Sequence, residues 1–232
     1  MGDFLNFQVI ADNFTYFMIG RWPDGPLGGV GLTLYRAVVS CILSFFGGLF
    51  LGLLSVSRHR WISWPSMLLI NTVRGVPLLM VIFWMYFLLP ALFGKVPESQ
   101  TVIMALTLFT SAYMSQIVRA GIEGIPKGQM EAAISTGLKH WQAMLYIILP
   151  QAIRITIPPL VNQFLNLAKN SSLAMTIGVM EMTYQARQVE SYTFKGFEAF
   201  TAATVVYLAL SIVITSLVNL YNEKVLNIHK AA

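Results

Sequence analysis

The sequence is short of charged residues: Asp, Glu, Lys and Arg make up only 11% of its 232 residues, against about 25% in a typical soluble domain. It has a single cysteine, Cys41, which excludes an intrachain disulfide. It also lacks a cluster of His and Cys residues and any recognisable pairing of a nucleophile with a base. The remainder is 56% hydrophobic with a mean hydropathy of +0.66. This composition excludes an ordinary soluble domain and predicts a membrane protein.

The N-terminal stretch lacks the basic segment that begins a signal peptide. MGDFLNFQVIADNF contains two acids and no base, so we expect no cleavable leader. We predict that residues 1–28 form an external or interfacial segment, with a short helix before the turn-rich WPDGPLGG.

The sequence contains several long apolar runs. A bilayer core about 30 Å thick requires roughly 20 mostly apolar residues per helix. The sequence predicts an all-α membrane protein with five transmembrane helices, near 29–56, 66–92, 100–121, 143–168 and 199–221. We expect a single transmembrane domain over 29–222 and a cytoplasmic tail over 223–232.

The distribution of Lys and Arg between alternate connections predicts the orientation. Seven bases lie on one side, and four lie on the other: Arg58, Arg60, Arg119, Lys127, Lys139, Lys224 and Lys230, against Arg21, Lys95, Arg187 and Lys195. Cytoplasmic loops carry the excess of bases. We therefore predict an external N-terminus and a cytoplasmic C-terminus.

The connection over 122–142 contains a polar segment with helical spacing. Over 127–141 it predicts one helix whose apolar face carries Met130, Ile134 and Leu138 in one row and Ala133, Gly137 and Trp141 in the next. Small residues at Ala132, Ala133 and Gly137 allow another backbone to approach closely. Two interpretations follow from the pattern: an amphipathic helix on the lipid headgroups, or a docking helix for a cytoplasmic partner.

The segment resembles the EAA loop of bacterial ABC-importer permeases. That pattern is E-A-A, three residues, Gly, nine residues and I-x-L-P, and it is matched here by Glu131-Ala132-Ala133, Gly137 and Ile147-x-Leu149-Pro150. The resemblance also extends over residues 71–79 (NTVRGVPLL), 111–133 and 149–173. Within the family, the chain most resembles the polar-amino-acid branch. The run at 74–90 is especially similar to glutamate/aspartate permease subunits.

This resemblance implies a set of partners and a coupling role. The cytoplasmic helix would dock into an ATPase subunit through Glu131, Ala132, Ala133, Gly137 and Lys139. A second permease, identical or paralogous, and an extracytoplasmic substrate-binding protein would complete a complex in the bacterial inner membrane. The phosphate-binding pattern G-x-x-x-x-G-K-[ST] is absent. We therefore expect no cofactor in this chain, with ATP and Mg²⁺ bound by the ATPase.

Helix breakers and small residues occur inside the predicted spans. Gly75-Val76-Pro77 and Ile157-Pro158-Pro159 predict interruptions, which are tolerated at membrane depth only inside protein or beside a wet cavity. Each interruption is either a static kink or part of a mobile, cavity-lining region. Gly48 and Gly52 form a GxxxG pattern, which fits intrachain packing as well as a contact between subunits.

Ionisable residues within spans are candidates for function. For Arg36 and Arg154 we favour an arrangement in which the side chain reaches the headgroups, whereas Arg74 and Lys169 lie beside a helix break or a polar cluster. Asn162, Asn166 and Asn170 form one polar stripe. The predicted substrate pathway therefore comprises Arg74, Asn162, Asn166, Lys169 and Asn170. We interpret individual residues of 174–198 as parts of a solvated loop, and the loop as a possible surface for the binding protein.

The function predicted from these features is that of a non-enzymatic permease subunit in an ATP-driven importer of polar amino acids, such as glutamate or aspartate, working by alternating access. Two alternatives remain open. An ion-coupled secondary transporter needs no ATPase but usually has more spans and internal repeats. A non-transporting scaffold would use the same helix to recruit a cytoplasmic partner.

Overall fold

A computed structural model describes residues 6–221, which are predominantly helical. The predicted tail 223–232 lies outside the described residues. Within them, eleven α-helices follow one another: α1 Gln8–Asp12, α2 Phe14–Ile19, α3 Gly29–Ser55, α4 Arg60–Arg74, α5 Leu78–Phe93, α6 Glu98–Glu123, α7 Lys127–Ser135, α8 His140–Ala143, α9 Leu149–Asn170, α10 Met182–Thr193 and α11 Gly196–Tyr221. A π-helix, Met144–Ile148, separates α8 from α9, and a 3₁₀-helix, Ser171–Ile177, follows α9.

Four helical stretches in the described residues are long and apolar enough to cross a membrane: Gly29–Ser55, Glu98–Glu123, His140–Ile177 and Gly196–Ser216. A bent pair, α4 with α5, gives a fifth if it is counted as one span. The all-α membrane fold predicted from the apolar runs is therefore confirmed.

The predicted second span over 66–92 is two helices that meet at 107°. The break lies at Gly75-Val76-Pro77, where the sequence predicts an interruption. Pro77 has no backbone N–H to donate to a helix. The helical conformation is also disfavoured for Val76, because it precedes a proline. The Gly75 N–H still donates to the Asn71 carbonyl at 2.9 Å, which ends α4.

The interruption predicted at Ile157-Pro158-Pro159 is wrong, because α9 continues through both prolines. Proline removes two N–H donors from the helix but can itself adopt the helical φ. On either side of the pair, Thr156 and Leu160 are buried. Packing of these neighbours holds the segment helical despite the lost hydrogen bonds.

Among the described residues, one compact unit combines 6–41, Leu78–Leu106 and 165–221. Phe17 of α2, Met182 and Val189 of α10, and small residues of α11 such as Ala199 form a buried cluster in it. The expected short helix before WPDGPLGG is present as the pair α1 and α2. The chain then returns to Gly29, whose N–H donates to the Met180 carbonyl at 3.0 Å.

The second compact unit combines Ile42–Pro77 and Thr107–Phe164. In it α3 packs closely on α6 through the glycine pair. A Cβ on Gly48 would lie 2.5 Å from Met114 Cβ, and one on Gly52 would lie 2.8 Å from Val118 Cγ1. Both separations are too short for real side chains. The GxxxG pattern left open by the sequence therefore serves packing within the chain.

Candidate coupling segment and transport pathway

The segment with the E-A-A triplet forms α7, which is anchored on one side and exposed on the other. Ala133 is buried, and Met130 packs against a core of α6 and α9 side chains that includes Ile122 and Ala152. Most other residues of α7 are exposed, and those opposite Ala133 include Glu131, Ala132 and Ile134. The helix thus offers a small-residue surface with one carboxylate while its other face is fixed to the unit.

The helix does not continue to Trp141 as the sequence predicts. It ends at Ser135, and Gly137 takes a left-handed conformation with φ of +89°. The N–H of Gly137 donates to the Ile134 carbonyl at 2.9 Å, and the N–H of Leu138 donates to the Ala133 carbonyl at 3.4 Å. This is a Schellman ending, in which glycine is favoured because it lacks a Cβ. Gly137 is therefore required by the turn, and the two predicted apolar rows do not form one face.

A second helical stretch begins directly after the turn. The N–H of Lys139 donates to Gln142 Oε1 at 2.8 Å, which fixes the start of α8. The chain then continues through the π-helix Met144–Ile148 into α9. Lys139 itself is exposed beside Gly137. The coupling candidates therefore lie on α7 and the short non-helical segment that follows it, and helical backbone resumes at His140 and continues into the long span α9.

The turn can be tested by its backbone conformation. We expect Gly137→Val to destabilise the protein by about 1–2 kcal/mol, because a β-branched residue is strained in the left-handed region. Gly137→Asn is expected to be tolerated much better, since asparagine adopts that region more readily. A Cβ at this position meets nothing within 4 Å, so steric crowding inside the chain does not contribute. Thermal unfolding of the purified variants measures the difference in stability between Gly137→Val and Gly137→Asn. Equal losses of stability in the two variants would contradict the left-handed turn at Gly137.

Arg74 lies at the end of α4, next to the sharp break. Its guanidinium carbon is 5.2 Å from the centroid of the Tyr113 ring, a cation–π geometry. The Tyr113 hydroxyl donates to the Arg74 carbonyl at 3.5 Å. The side chain is exposed, so its charge stays available to a ligand while the aromatic ring orients it.

The predicted polar stripe lies on α9. Asn162, Asn166 and Lys169 are exposed, and Asn170 is half-buried where the 3₁₀-helix begins. Asn162 and Arg74 belong to the second unit, and Asn166, Lys169 and Asn170 belong to the first. The helical spacing of the three asparagines is therefore present, and their role in a pathway stays a prediction.

A buried polar cluster in the first unit overturns two expectations. Arg36 is only 2% exposed and does not reach the headgroups, and Glu181 is fully buried instead of lying in a solvated loop. Glu181 Oε2 accepts from the Tyr207 hydroxyl at 2.7 Å, and Oε1 accepts from the Tyr184 N–H at 2.9 Å. Burial raises the pKa of Glu181, while these hydrogen bonds oppose the shift.

The buried Arg36 side chain is only partly satisfied by polar partners, because its Nη1 has no hydrogen-bond partner among the described residues. Its Nε donates to Ser99 Oγ at 3.2 Å, and the Glu181 carboxylate attracts its charge. The signal for this arrangement is in the sequence: Thr33, Arg36, Ser40 and Ser44 recur at helical spacing along α3, and all four are buried. A row of polar residues along an apolar span predicts that this face of the helix packs against protein and does not face lipid.

We expect Tyr207→Phe to destabilise the protein by about 1–3 kcal/mol, because it removes a hydrogen bond to a buried carboxyl group. Tyr192→Phe is the matched control, since the Tyr192 hydroxyl donates to Asn13 at an exposed position. That variant should change stability by less than about 0.5 kcal/mol. Thermal unfolding in detergent compares the two, and an unchanged Tyr207→Phe protein would show that the bond contributes nothing.

Residues 44–227 match the family described as the inner membrane component of binding-protein-dependent transport systems. The chain belongs to this family. The matched region includes α7, the helix break at Gly75 and the whole of α9. The resemblance drawn from the EAA loop is thereby confirmed at the level of the family.

Curated relatives and a solved structure agree with the family. The probable glutamine ABC transporter permease protein GlnM of Bacillus subtilis (strain 168) is 38% identical over 220 residues, which cover 95% of this chain and 97% of the relative. The glutamate/aspartate import permease protein GltJ of Escherichia coli (strain K12) is 33% identical over 210 residues, 85% of each chain. The crystal structure of an amino acid ABC transporter with histidines matches at a TM-score of 0.83 and 29% identity, covering 95% of this chain and 99% of that chain.

These findings settle the class of the protein. It is a multi-pass inner-membrane permease subunit of an ABC transport system, and in such systems the ATPase is a separate subunit. The prediction of a non-enzymatic permease is confirmed, and neither alternative class is supported. The orientation of the termini stays a prediction.

Proposed function

We propose that this permease serves an ATP-driven importer of polar amino acids, with α7 and its Gly137 turn as the coupling contact. The observation that carries the coupling role is the division of α7 into a buried side, fixed by Ala133, and an exposed side of Glu131, Ala132 and Ile134. Exposed small residues admit a partner backbone, and the carboxylate suits a basic side chain on the partner. The amino-acid class is supported by the substrates named for the relatives.

The coupling contact requires specific partners. A cytoplasmic ATPase subunit would hold ATP and Mg²⁺ and receive α7, and a second permease copy or paralogue would complete the membrane pathway. An extracytoplasmic binding protein would deliver the substrate. Because α7 must face the ATPase, the N-terminus would be external and the C-terminus cytoplasmic, in agreement with the seven-to-four distribution of bases.

Movement of α7 has a direct route into the membrane. The turn at Gly137, α8 and the π-helix join it to α9 without an extended loop. Single-turn π segments are frequent at functional sites in helices. A shift of α7 by the closing ATPase pair would therefore be transmitted to α9, where Asn162, Asn166, Lys169 and Asn170 lie.

The proposed pathway suits an anionic substrate. Arg74 and Lys169 supply positive charge, and the asparagines supply amide donors and acceptors. An arginine can bind a carboxylate through two parallel hydrogen bonds. Selectivity for acidic amino acids is the specific form of the proposal.

Uptake by the purified complex in proteoliposomes tests the function. We expect ATP-dependent, vanadate-sensitive glutamate uptake that aspartate inhibits, with Arg74→Gln raising the KM about tenfold or more through loss of a charged hydrogen bond. Arg154→Gln, which removes an exposed charge from α9, is the control. Preference for arginine or histidine would contradict the acidic selectivity. Uptake driven by an ion gradient without ATP would favour a secondary transporter, and no flux at all would favour a scaffold.

A further inference from the structure

A cavity of about 760 Å³ lies in the second unit, beside the coupling segment. The end of α3, the start of α4, α8 and the π-helix surround it. Its apolar wall is formed by Leu53, Leu54, Val56, Ile62, Met144, Leu145 and Leu149. The volume is within the range of sites for small ligands, about 300–1,000 Å³.

The remaining wall of the cavity is polar and basic. Ser57, Arg58 and His59 contribute from the connection between α3 and α4, and His140 contributes from the start of α8. No carboxylate is among the described residues that line the cavity. A ligand that fits this wall carries negative charge at one end and apolar chains at the other.

The position of the cavity matches the depth of a lipid headgroup. Arg58 and His59 follow the last residues of a long apolar span, so they lie where a bilayer gives way to water. Trp61 is 93% exposed and Trp141 is 58% exposed, and tryptophan is enriched at that interface. Basic pockets at the ends of membrane helices bind anionic headgroups.

We propose that this cavity is a binding site for an anionic phospholipid such as phosphatidylglycerol. The phosphate lies against Arg58, His59 and His140, and the acyl chains lie along Leu53, Leu54 and Leu145. Charge complementarity selects this occupant over a neutral lipid. The site is independent of the transported substrate.

The site has a consequence for coupling. His140 and Trp141 line the cavity and come directly after the turn formed by Gly137, Leu138 and Lys139. A bound phospholipid therefore contacts the backbone that joins α7 to α9. Its presence should stabilise this connection, a consequence for coupling that rests on the role proposed above for α7.

Photolabelling tests the site on the intact transport complex. Nanodiscs would contain a phosphatidylglycerol or a phosphatidylcholine analogue with a diazirine in the acyl chain, and labelled peptides would be mapped by mass spectrometry. We expect the phosphatidylglycerol probe to label the Met144–Leu145 region more strongly. Arg58→Gln should reduce this preference about fivefold, the effect of one basic residue near an anionic membrane surface.

Arg60→Gln is the matched control, because it removes the same charge two residues further along but does not line the cavity. It should preserve the preference. His140→Leu provides a second test should Arg58→Gln fail to fold. Equal labelling by both probes in the wild type, or a preference unchanged in Arg58→Gln and His140→Leu, would overturn the proposal. Labelling of another subunit by the phosphatidylglycerol probe, with none in the Met144–Leu145 region, would likewise overturn the proposal.

Discussion

Ala132→Tyr is expected to abolish both ATPase association and transport while leaving the permease folded. Ala132 is exposed on α7 beside Glu131, and its backbone is held in place because the next residue, Ala133, is buried in the core. A tyrosine there points outward and prevents close approach of a partner. Disruption of a hot-spot position near the centre of an interface costs about 2 kcal/mol or more, about 30-fold in affinity.

The measurement is co-purification of the ATPase with the tagged permease, together with uptake in proteoliposomes. Ala132→Ser is the control, because it keeps the small size and should retain the complex. A folded Ala132→Tyr protein that still binds the ATPase and transports would show that the exposed face of α7 is not the docking surface. Comparison of Glu131→Gln with Glu123→Gln tests what the Glu131 carboxylate contributes to ATPase binding. Glu123 is the control because its carboxylate is paired with Arg119 of the same chain at 2.8 Å.

Gly48→Leu is expected to cause a large loss of stability. Its Cβ alone would lie 2.5 Å from Met114 Cβ, which is the fixed end of that side chain. The new residue can be accommodated only if α3 and α6 separate. Overpacking of a core costs about 1–3 kcal/mol and occasionally more, which corresponds to a fall in Tm of about 2–12 °C for a chain of this size.

Thermal unfolding in detergent and the yield of monodisperse protein measure this effect. Gly128→Leu is the matched control, because a Cβ on Gly128 meets nothing within 4 Å. It should keep the wild-type Tm, whatever its effect on ATPase binding. A Gly48→Leu protein as stable as the control would mean that α3 and α6 do not pack through this glycine.

The sequence predicted the membrane class and α7, because both depend on patterns within a single segment. Apolar runs reveal spans regardless of how the spans pack, and the E-A-A spacing is local. The sequence did not reveal that α7 ends at Ser135. Helical spacing continues to Trp141, and only the positive φ of Gly137 shows that the glycine terminates the helix.

The two sets of prolines show why breaks are harder to predict than spans. Pro77 follows a glycine and a valine, and the chain bends by 107° there. Pro158 and Pro159 lie between residues buried on both sides, and α9 stays helical. Local chemistry is unfavourable for a helix at both places, so the outcome depends on tertiary packing.

The burial of Arg36 and Glu181 in the same compact unit could not be predicted from the sequence, because the two residues are far apart along the chain. A charged residue near a helix end usually reaches the headgroups, and an acid in a polar connection is usually solvated. The row of Thr33, Arg36, Ser40 and Ser44 shows that one face of α3 is buried in protein. It does not show that Glu181 and Tyr207 lie in the same compact unit.

The central claim is that α7 contacts the ATPase, and site-specific photocrosslinking tests it most directly. A benzophenone amino acid would replace Ile134, which is 41% exposed on α7, and the control would replace Phe46, which is 63% exposed on the apolar span α3. We predict that the probe at position 134 cross-links to the ATPase subunit and that the probe at position 46 does not. Cross-links from position 134 to lipid alone, in a complex that retains its ATPase, would contradict the account.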